Sequence, residues 1–236
     1  MKILYQDKHI IVVNKSEGVL TVPYPGFKGH TVIGELTENC RKRGILRGAY
    51  KPYAVHRLDK DTSGVLVFAM TQDVQKKLMD NWQTIVKTRS YVALAENPRG
   101  KDFPQISESG TIDAPLTKNA YHHSYVANNQ RGKNQKETSR EKTVEVSAVT
   151  HYKVLKRGKD FTLFSLELET GRTNQIRAHL NHLGYTIAGD ELFRAKTNPF
   201  NRLCLHAKTL EFYHPVSGEL LCFSEEPPKS WETRCK

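Results

Sequence analysis

An α+β fold built on a mixed, largely antiparallel sheet flanked by helices and loops is predicted by three observations. Short β-branched or alternating apolar runs outnumber helical stretches. The helical stretches come singly, not after every strand as a doubly wound parallel fold requires. Hydrophobic residues make up 38% of the 236 positions, which supports a proper core and suits one domain spanning 1–236.

Residues 9–14, His-Ile-Ile-Val-Val-Asn, form a short strand that Lys15-Ser16-Glu17-Gly18 breaks with a turn. Pro23, Pro25, Gly26 and Gly29 mark a loop. Thr31 is placed to cap a helix reaching about Arg43, with Val32, Ile33 and Leu36 as its apolar stripe. Residues 44–52 read as a basic loop. Tyr53–Arg57 and Val65–Ala69 read as strands on either side of the polar segment Asp59-Lys60-Asp61-Thr62-Ser63-Gly64. Val74, Leu78, Trp82 and Ile85 recur at spacings of 4, 4 and 3, which predicts one helix over 72–86 with these residues in the core. Tyr91–Ala95 follows as a strand.

The segment 128–142 contains almost nothing apolar and is expected to be a mobile basic insertion rather than a linker, because strand-like sequence resumes at Val144. Phe161–Leu168 alternates as a half-buried strand. Thr173–Leu183 is a second helix with Ile176, Leu180 and Leu183 on one face, and 203–212 and 219–224 complete the strands.

Charge narrows the function. Thirty-six Lys and Arg against 25 Asp and Glu leave +11, a surplus that attracts polyanions and speeds encounter with them. Nucleic acid is the first candidate partner and an anionic membrane the second; an ordinary soluble protein with a basic surface stays open. Cys40, Cys204, Cys222 and Cys235 form no C-x-x-C pair, so neither a zinc ribbon nor a disulfide framework is expected. Isolated thiols, a charged start and the lack of a membrane-length apolar run point to a cytoplasmic protein. No internal repeat or glycine-rich phosphate loop is present.

Two segments could carry chemistry. In the first, a strand delivers His56-Arg57-Leu58 to Asp59, and the chain turns at once through Asp61-Thr62-Ser63-Gly64. Catalytic groups often sit at such strand ends. Equally, Asp59, Asp61, Thr62 and Ser63 could merely bond local backbone in a turn. The second is Thr170-Gly171-Arg172-Thr173-Asn174-Gln175-Ile176-Arg177, a helix start. Free N–H groups there favour anions. Two arginines at that end oppose the helix dipole, so an external anion or a carboxylate partner is wanted; the alternative is a solvated basic face with Ile176 packing beneath it. His179 and His182 stand at i and i+3, but no further ligand matches them, so packed or surface histidines are expected and no metal. His122 and His123 are adjacent and would point to opposite faces of a strand.

These segments, with several others in the same order, resemble the RluA-type RNA pseudouridine synthases. Ile3–Asp7 through Val12–Lys15 is similar to that family's opening strand motif. His56–Gly64 resembles its catalytic motif, and Lys87-Thr88-Arg89-Ser90-Tyr91-Val92-Ala93 the motif that holds its active-site tyrosine. Gly110–Leu116 and Thr150–Leu155 resemble its middle strands. Thr170–Arg177, His179-Leu180 and Gly184–Asp190 resemble its third motif, and Leu205–Ala207 and Phe212–Gly218 its C-terminal strands. The likeness covers nearly the whole chain, least at 128–142. Asn174 stands where the family usually has His, and Lys15-Ser16 where it commonly has Lys-Pro. The pattern begins at residue 3, so the N-terminal RNA-binding domain many relatives carry is not expected here.

The resemblance implies isomerisation of uridine to pseudouridine in transfer or ribosomal RNA, with no cofactor and by a monomer. Asp59 is then the catalytic carboxylate, Arg177 its charge partner, and Tyr91 the residue that stacks on uracil or handles a proton. Arg57 fills the gap left by a flipped base. His56, Thr62, Arg172, Ile176 and Leu205 complete the expected substrate-binding set. The segment 128–142 joins the RNA footprint. A non-catalytic RNA-binding or RNA-folding protein would be marked by loss of Asp59, Tyr91 or Arg177, and all three are present. A glycosidase reading lacks a convincing second carboxylate.

Overall fold

The computed structural model describes residues 1–99, 106–119, 123–127 and 144–236; the insertion expected at 128–142 and His122 lie outside them. The chain forms two compact units: Met1–Tyr91 with Leu205–Pro228, and Val92–Cys204 with Lys229–Lys236.

In the first unit the chain runs through β1 (Lys2–Gln6), β2 (Ile10–Lys15), α1 (Val32–Lys42), β3 (Tyr53–Ala54), β4 (Ser63–Ala69), α2 (Gln72–Asp80) and α3 (Trp82–Ile85). Strand β5 (Val86–Glu96) begins in the first unit and ends in the second. The second unit continues with β6 (Ser109–Asp113), β7 (Leu116–Lys118), β8 (Ser124–Val126), β9 (Val149–Arg157), β10 (Phe161–Leu168) and α4 (Gln175–His182). Strands β11 (Leu205–Tyr213) and β12 (Leu220–Ser224) return to the first unit, and α5 (Ser230–Arg234) closes the second.

The first unit orders its strands β1-β2-β4-β11, with β12 beside β11 and β3 beside β4. Pairing is antiparallel except between β4 and β11, where His206 faces Ser63 and Ala207 faces Gly64 in parallel. Every residue of β4 is buried. Side chains alternate across a strand, so Val65, Val67 and Ala69 join Val74 and Leu78 of α2 on one face. Leu66 and Phe68 join Val32, Leu36 and Cys40 of α1 on the other. The second unit pairs β10 with β9 and β9 with β6, all antiparallel, and adds the hairpin β7–β8. Its cluster of Ile112, Ala114, Leu116, Val126 and Ala148 takes Ala178 from α4.

Thr31 caps α1 by accepting from the Gly34 N–H, as its position predicts. Four expectations need correction. The strand over Tyr53–Arg57 stops at Ala54, because the His56 ring Nε2 accepts the Val67 N–H at 3.2 Å and a side chain takes over a backbone donor of β4. The single helix over 72–86 breaks at Asn81, whose side chain donates to the Lys77 carbonyl and closes α2. Trp82 and Ile85 then pack only partly buried on the core cluster. The helix expected from Thr173 starts at Gln175, since Asn174 sits in the left-handed region at φ 53°, a conformation Asn tolerates. Finally, Phe161–Phe164 of β10 are buried on both faces rather than half-buried.

Candidate active site

Asp59 lies in a turn of the first unit, its carbonyl accepting the Thr62 N–H at 3.1 Å. The peptides around it are gripped from both directions. On the N-terminal side, the buried Thr21 hydroxyl donates to the Leu58 carbonyl at 2.9 Å and accepts the Leu58 N–H at 3.2 Å. Leu58 itself is sunk in the core. On the C-terminal side, the Lys15 ammonium donates to the Lys60 carbonyl at 2.8 Å and the Ser16 carbonyl at 2.9 Å. Lys15 is fully buried, which a charge tolerates only when strong acceptors replace water.

Gly64 ends this turn between two strands, facing Lys15 on β2 and Ala207 on β11. Its φ is +118°, and a Cβ there would lie 2.1 Å from the Ala207 carbonyl oxygen, so only glycine permits the pairing. Next to it, Ser63 Oγ lies 2.8 Å from His206 Nδ1, and His206 Nε2 lies 3.0 Å from the Glu225 carbonyl. A carbonyl oxygen only accepts, so Nε2 carries the proton and, in the neutral ring, Nδ1 accepts from the serine.

Tyr91 occupies the first unit's part of β5, half-buried against the cluster that includes Leu58 and Ala207. Burial pushes its phenol up to about 12; the Asp59 charge pushes the same way and Arg89 opposes both. Tyr91 is therefore a neutral hydrogen-bond donor with an apolar face, and it lies within the field of Asp59. Arg89, two residues earlier and on the same face of the strand, is itself held below its usual range by burial.

His56 is taken up structurally: besides bonding to Val67, its ring tilts against Trp82 with centroids 4.7 Å apart. Burial and the Arg89 charge push it down to about 3, so the ring is neutral. Arg57 is exposed, and Thr62 and Leu205 are buried.

The second unit contains the other expected segment. Gln175 holds the start of α4: its Oε1 accepts from Arg172 N and Thr170 Oγ1, while its Nε2 donates to the Val149 carbonyl and Thr150 Oγ1. Arg177 turns inward, and the carboxylate partner its position calls for is Asp190. The guanidinium donates through Nε and Nη2 to the two carboxylate oxygens, each at 2.7 Å. Asp190 Oδ1 also accepts the Phe193 N–H at 3.1 Å, and the Phe193 ring lies under the guanidinium at 5.8 Å. A two-point fork of this kind fixes the plane as well as the place of an arginine. Arg172 is exposed and donates to the Ser147 carbonyl; Ile176 is buried. His179 is fully buried between Thr150 Oγ1 at 2.9 Å and the Ala114 carbonyl at 3.0 Å, a packed histidine.

Reading the sequence gave no separate role to Lys15, Thr21, Arg89, Asp190 or His206. Arg89 alone left a local signal, a basic residue at i−2 of Tyr91 on a strand.

Comparison with known proteins identifies the family. Residues 9–182 match the profile of the family described as RNA pseudouridylate synthase. The uncharacterized RNA pseudouridine synthase YlyB of Bacillus subtilis is 36% identical over 230 residues, spanning 97% of this chain and 70% of the relative. Ribosomal large subunit pseudouridine synthase D of Zymomonas mobilis is 31% identical over 242 residues, spanning 98% and 71%. The human RNA Pseudouridylate Synthase Domain Containing 4 shares the fold at a TM-score of 0.73 and 23% identity, covering 98% of this chain and 90% of that one.

Proposed function

The chain belongs to the RNA pseudouridylate synthase family, and from that premise we propose that it isomerises uridines of large-subunit ribosomal RNA with Asp59 as the catalytic carboxylate. The activity class is that of an RNA pseudouridine synthase. Ribosomal RNA as the substrate is supported by the relatives named for it, and a cytoplasmic site of action goes with that substrate. No described helix is long and apolar enough to cross a membrane.

The reaction breaks the C1′–N1 bond of the target, turns the uracil and joins C5 to C1′. C5 loses its proton and N1 gains one. Asp59 serves this either by attacking C1′, by adding to C6 or by taking the C2′ proton. Each route needs a carboxylate whose position does not drift, because positioning supplies much of the rate. The observation that carries the assignment is the grip on the two peptides flanking Asp59, Thr21 on Leu58 and Lys15 on Lys60. A mere turn has no need of a fully buried ammonium. Tyr91, neutral and apolar-faced, stacks on the uracil and offers its hydroxyl proton. Arg177, held in one plane by Asp190, is assigned the opposing charge for Asp59. Exposed Arg57 takes the space that the flipped base leaves in the RNA stack.

Complementation tests this reading. Pseudouridines in large-subunit RNA are mapped in cells lacking the protein, then supplied with the wild type or Asp59→Asn. One or more positions should vanish, return with the wild type and stay absent with the variant. Return of those positions with Asp59→Asn overturns the assignment.

A further inference from the structure

Tyr24 is the most exposed of the described tyrosine, phenylalanine and tryptophan residues, with 61% of its surface in water. Packing does not explain it, since its partner Phe27 covers it from one direction only, with ring centroids 5.1 Å apart and planes at 48°. The loop that carries it is nevertheless built rigidly. The Leu20–Thr31 bridge and the bonds Val32 N to Leu20 O and Ile33 N to Thr21 O close the loop at its base. Pro23 and Pro25 fix φ on both sides of Tyr24. The Phe27 N–H donates back to the Tyr24 carbonyl at 3.0 Å, and Gly26 makes the turn at φ +85°. Gly29 lets the Phe27 ring lie against the backbone, where a Cβ would approach to 2.5 Å.

Position and charge say what the ring is for. Thr21, at the base of the loop, holds both polar groups of Leu58, the residue before Asp59. Two residues, Val22 and Pro23, separate Thr21 from Tyr24, so the three steps between them reach at most about 11 Å. The loop from Val22 to His30 contains no acidic residue, and Lys28 is exposed on it, while His30 meets Glu35 at 3.3 Å. An open aromatic face on a loop that also carries an exposed lysine, already ordered, is the arrangement on which unpaired bases stack. Ordering lost in advance costs nothing on binding.

We propose that Tyr24 is a stacking platform for an unpaired RNA base next to the target uridine, and that Lys28 meets the adjoining phosphate. This rests on the synthase reading above and adds a substrate-contact residue to it. The platform selects RNA in which the neighbour of the target can leave its helix, so it favours loops over paired stems.

The test measures binding of a short labelled oligouridylate and of a fully paired RNA hairpin of the same length. Tyr24→Ala should weaken oligouridylate binding about tenfold, within the range of one lost base stack, and leave hairpin binding unchanged. Tyr24→Phe should bind like the wild type. Tyr24→Trp should show fluorescence quenched by the oligouridylate, which reports ring contact directly. The proposal is overturned if Tyr24→Ala binds oligouridylate normally, if it loses both RNAs equally, if Tyr24→Phe is as weak as Tyr24→Ala, or if the wild type ignores oligouridylate. Asp59→Asn is run alongside and should bind normally. Should it still make pseudouridine, the catalytic assignment falls while the binding result stands by itself.

Discussion

The turn carrying Asp59 and the helix carrying Arg177 are held in opposite ways. Around Asp59 the restraint acts on the backbone: a buried hydroxyl and a buried ammonium hold the peptides on either side and leave the carboxylate partly open. Around Arg177 the restraint acts on the side chain itself, which is buried and locked two-point to Asp190. The contrast shows two ways in which one fold fixes a charged residue. Holding the flanking peptides fixes where the Asp59 side chain starts. The two-point fork fixes where the Arg177 side chain ends.

Breaking the side-chain lock should have the largest effect. Asp190→Ala removes both charge-assisted bonds from a buried guanidinium and should cost about 3–5 kcal/mol of stability. Urea unfolding measures the loss, and turnover should fall with it as Arg177 drifts. An unchanged urea midpoint would show that Asp190 does not hold the arginine.

Releasing the backbone grip should be gentler on the fold and harder on the rate. Lys15→Met and Thr21→Val each leave buried carbonyls less satisfied, at about 1–3 kcal/mol. A displacement of about 1 Å at Asp59 would slow turnover by about 100-fold. The kcat should therefore drop while KM changes little. A matching loss of stability with wild-type kcat would make both residues structural only.

The smallest effect concerns His56, held down to about 3 from an ordinary 6.5. Between those values the unfolded chain binds a proton that the folded chain refuses. Stability from this residue is thus complete above 6.5 and is lost as pH falls toward 3. Gln does not titrate, and its side chain can still accept from Val67. His56→Gln should flatten the fall in urea midpoint over that window; an equally steep fall would exclude His56 as a source of acid sensitivity.

Much of this was legible in the sequence. The family was visible in the motif His56–Gly64 and in the segments around Tyr91 and Arg177, and the family profile bears that resemblance out. The α1 cap at Thr31 and the bounds of β10 followed from local pattern alone. Helix ends were misread where the Asn81 side chain takes the Lys77 carbonyl and where Asn174 turns left-handed before Gln175.

The sequence by itself determined the apolar run that buries β4 on both faces and the stripes of α1 and α2. These are local properties, written at periods of two and about 3.6 residues. Only the tertiary structure showed that Lys15 and Thr21 close on the peptides beside Asp59, across separations of 45 and 37 residues. It alone showed that Asp190 locks Arg177, and that Tyr24 stands open on a loop rooted beside the Asp59 turn. A side chain bonding to distant backbone has no period and no fixed spacing, so nothing in the order of residues announces it until the sheet has brought the two together.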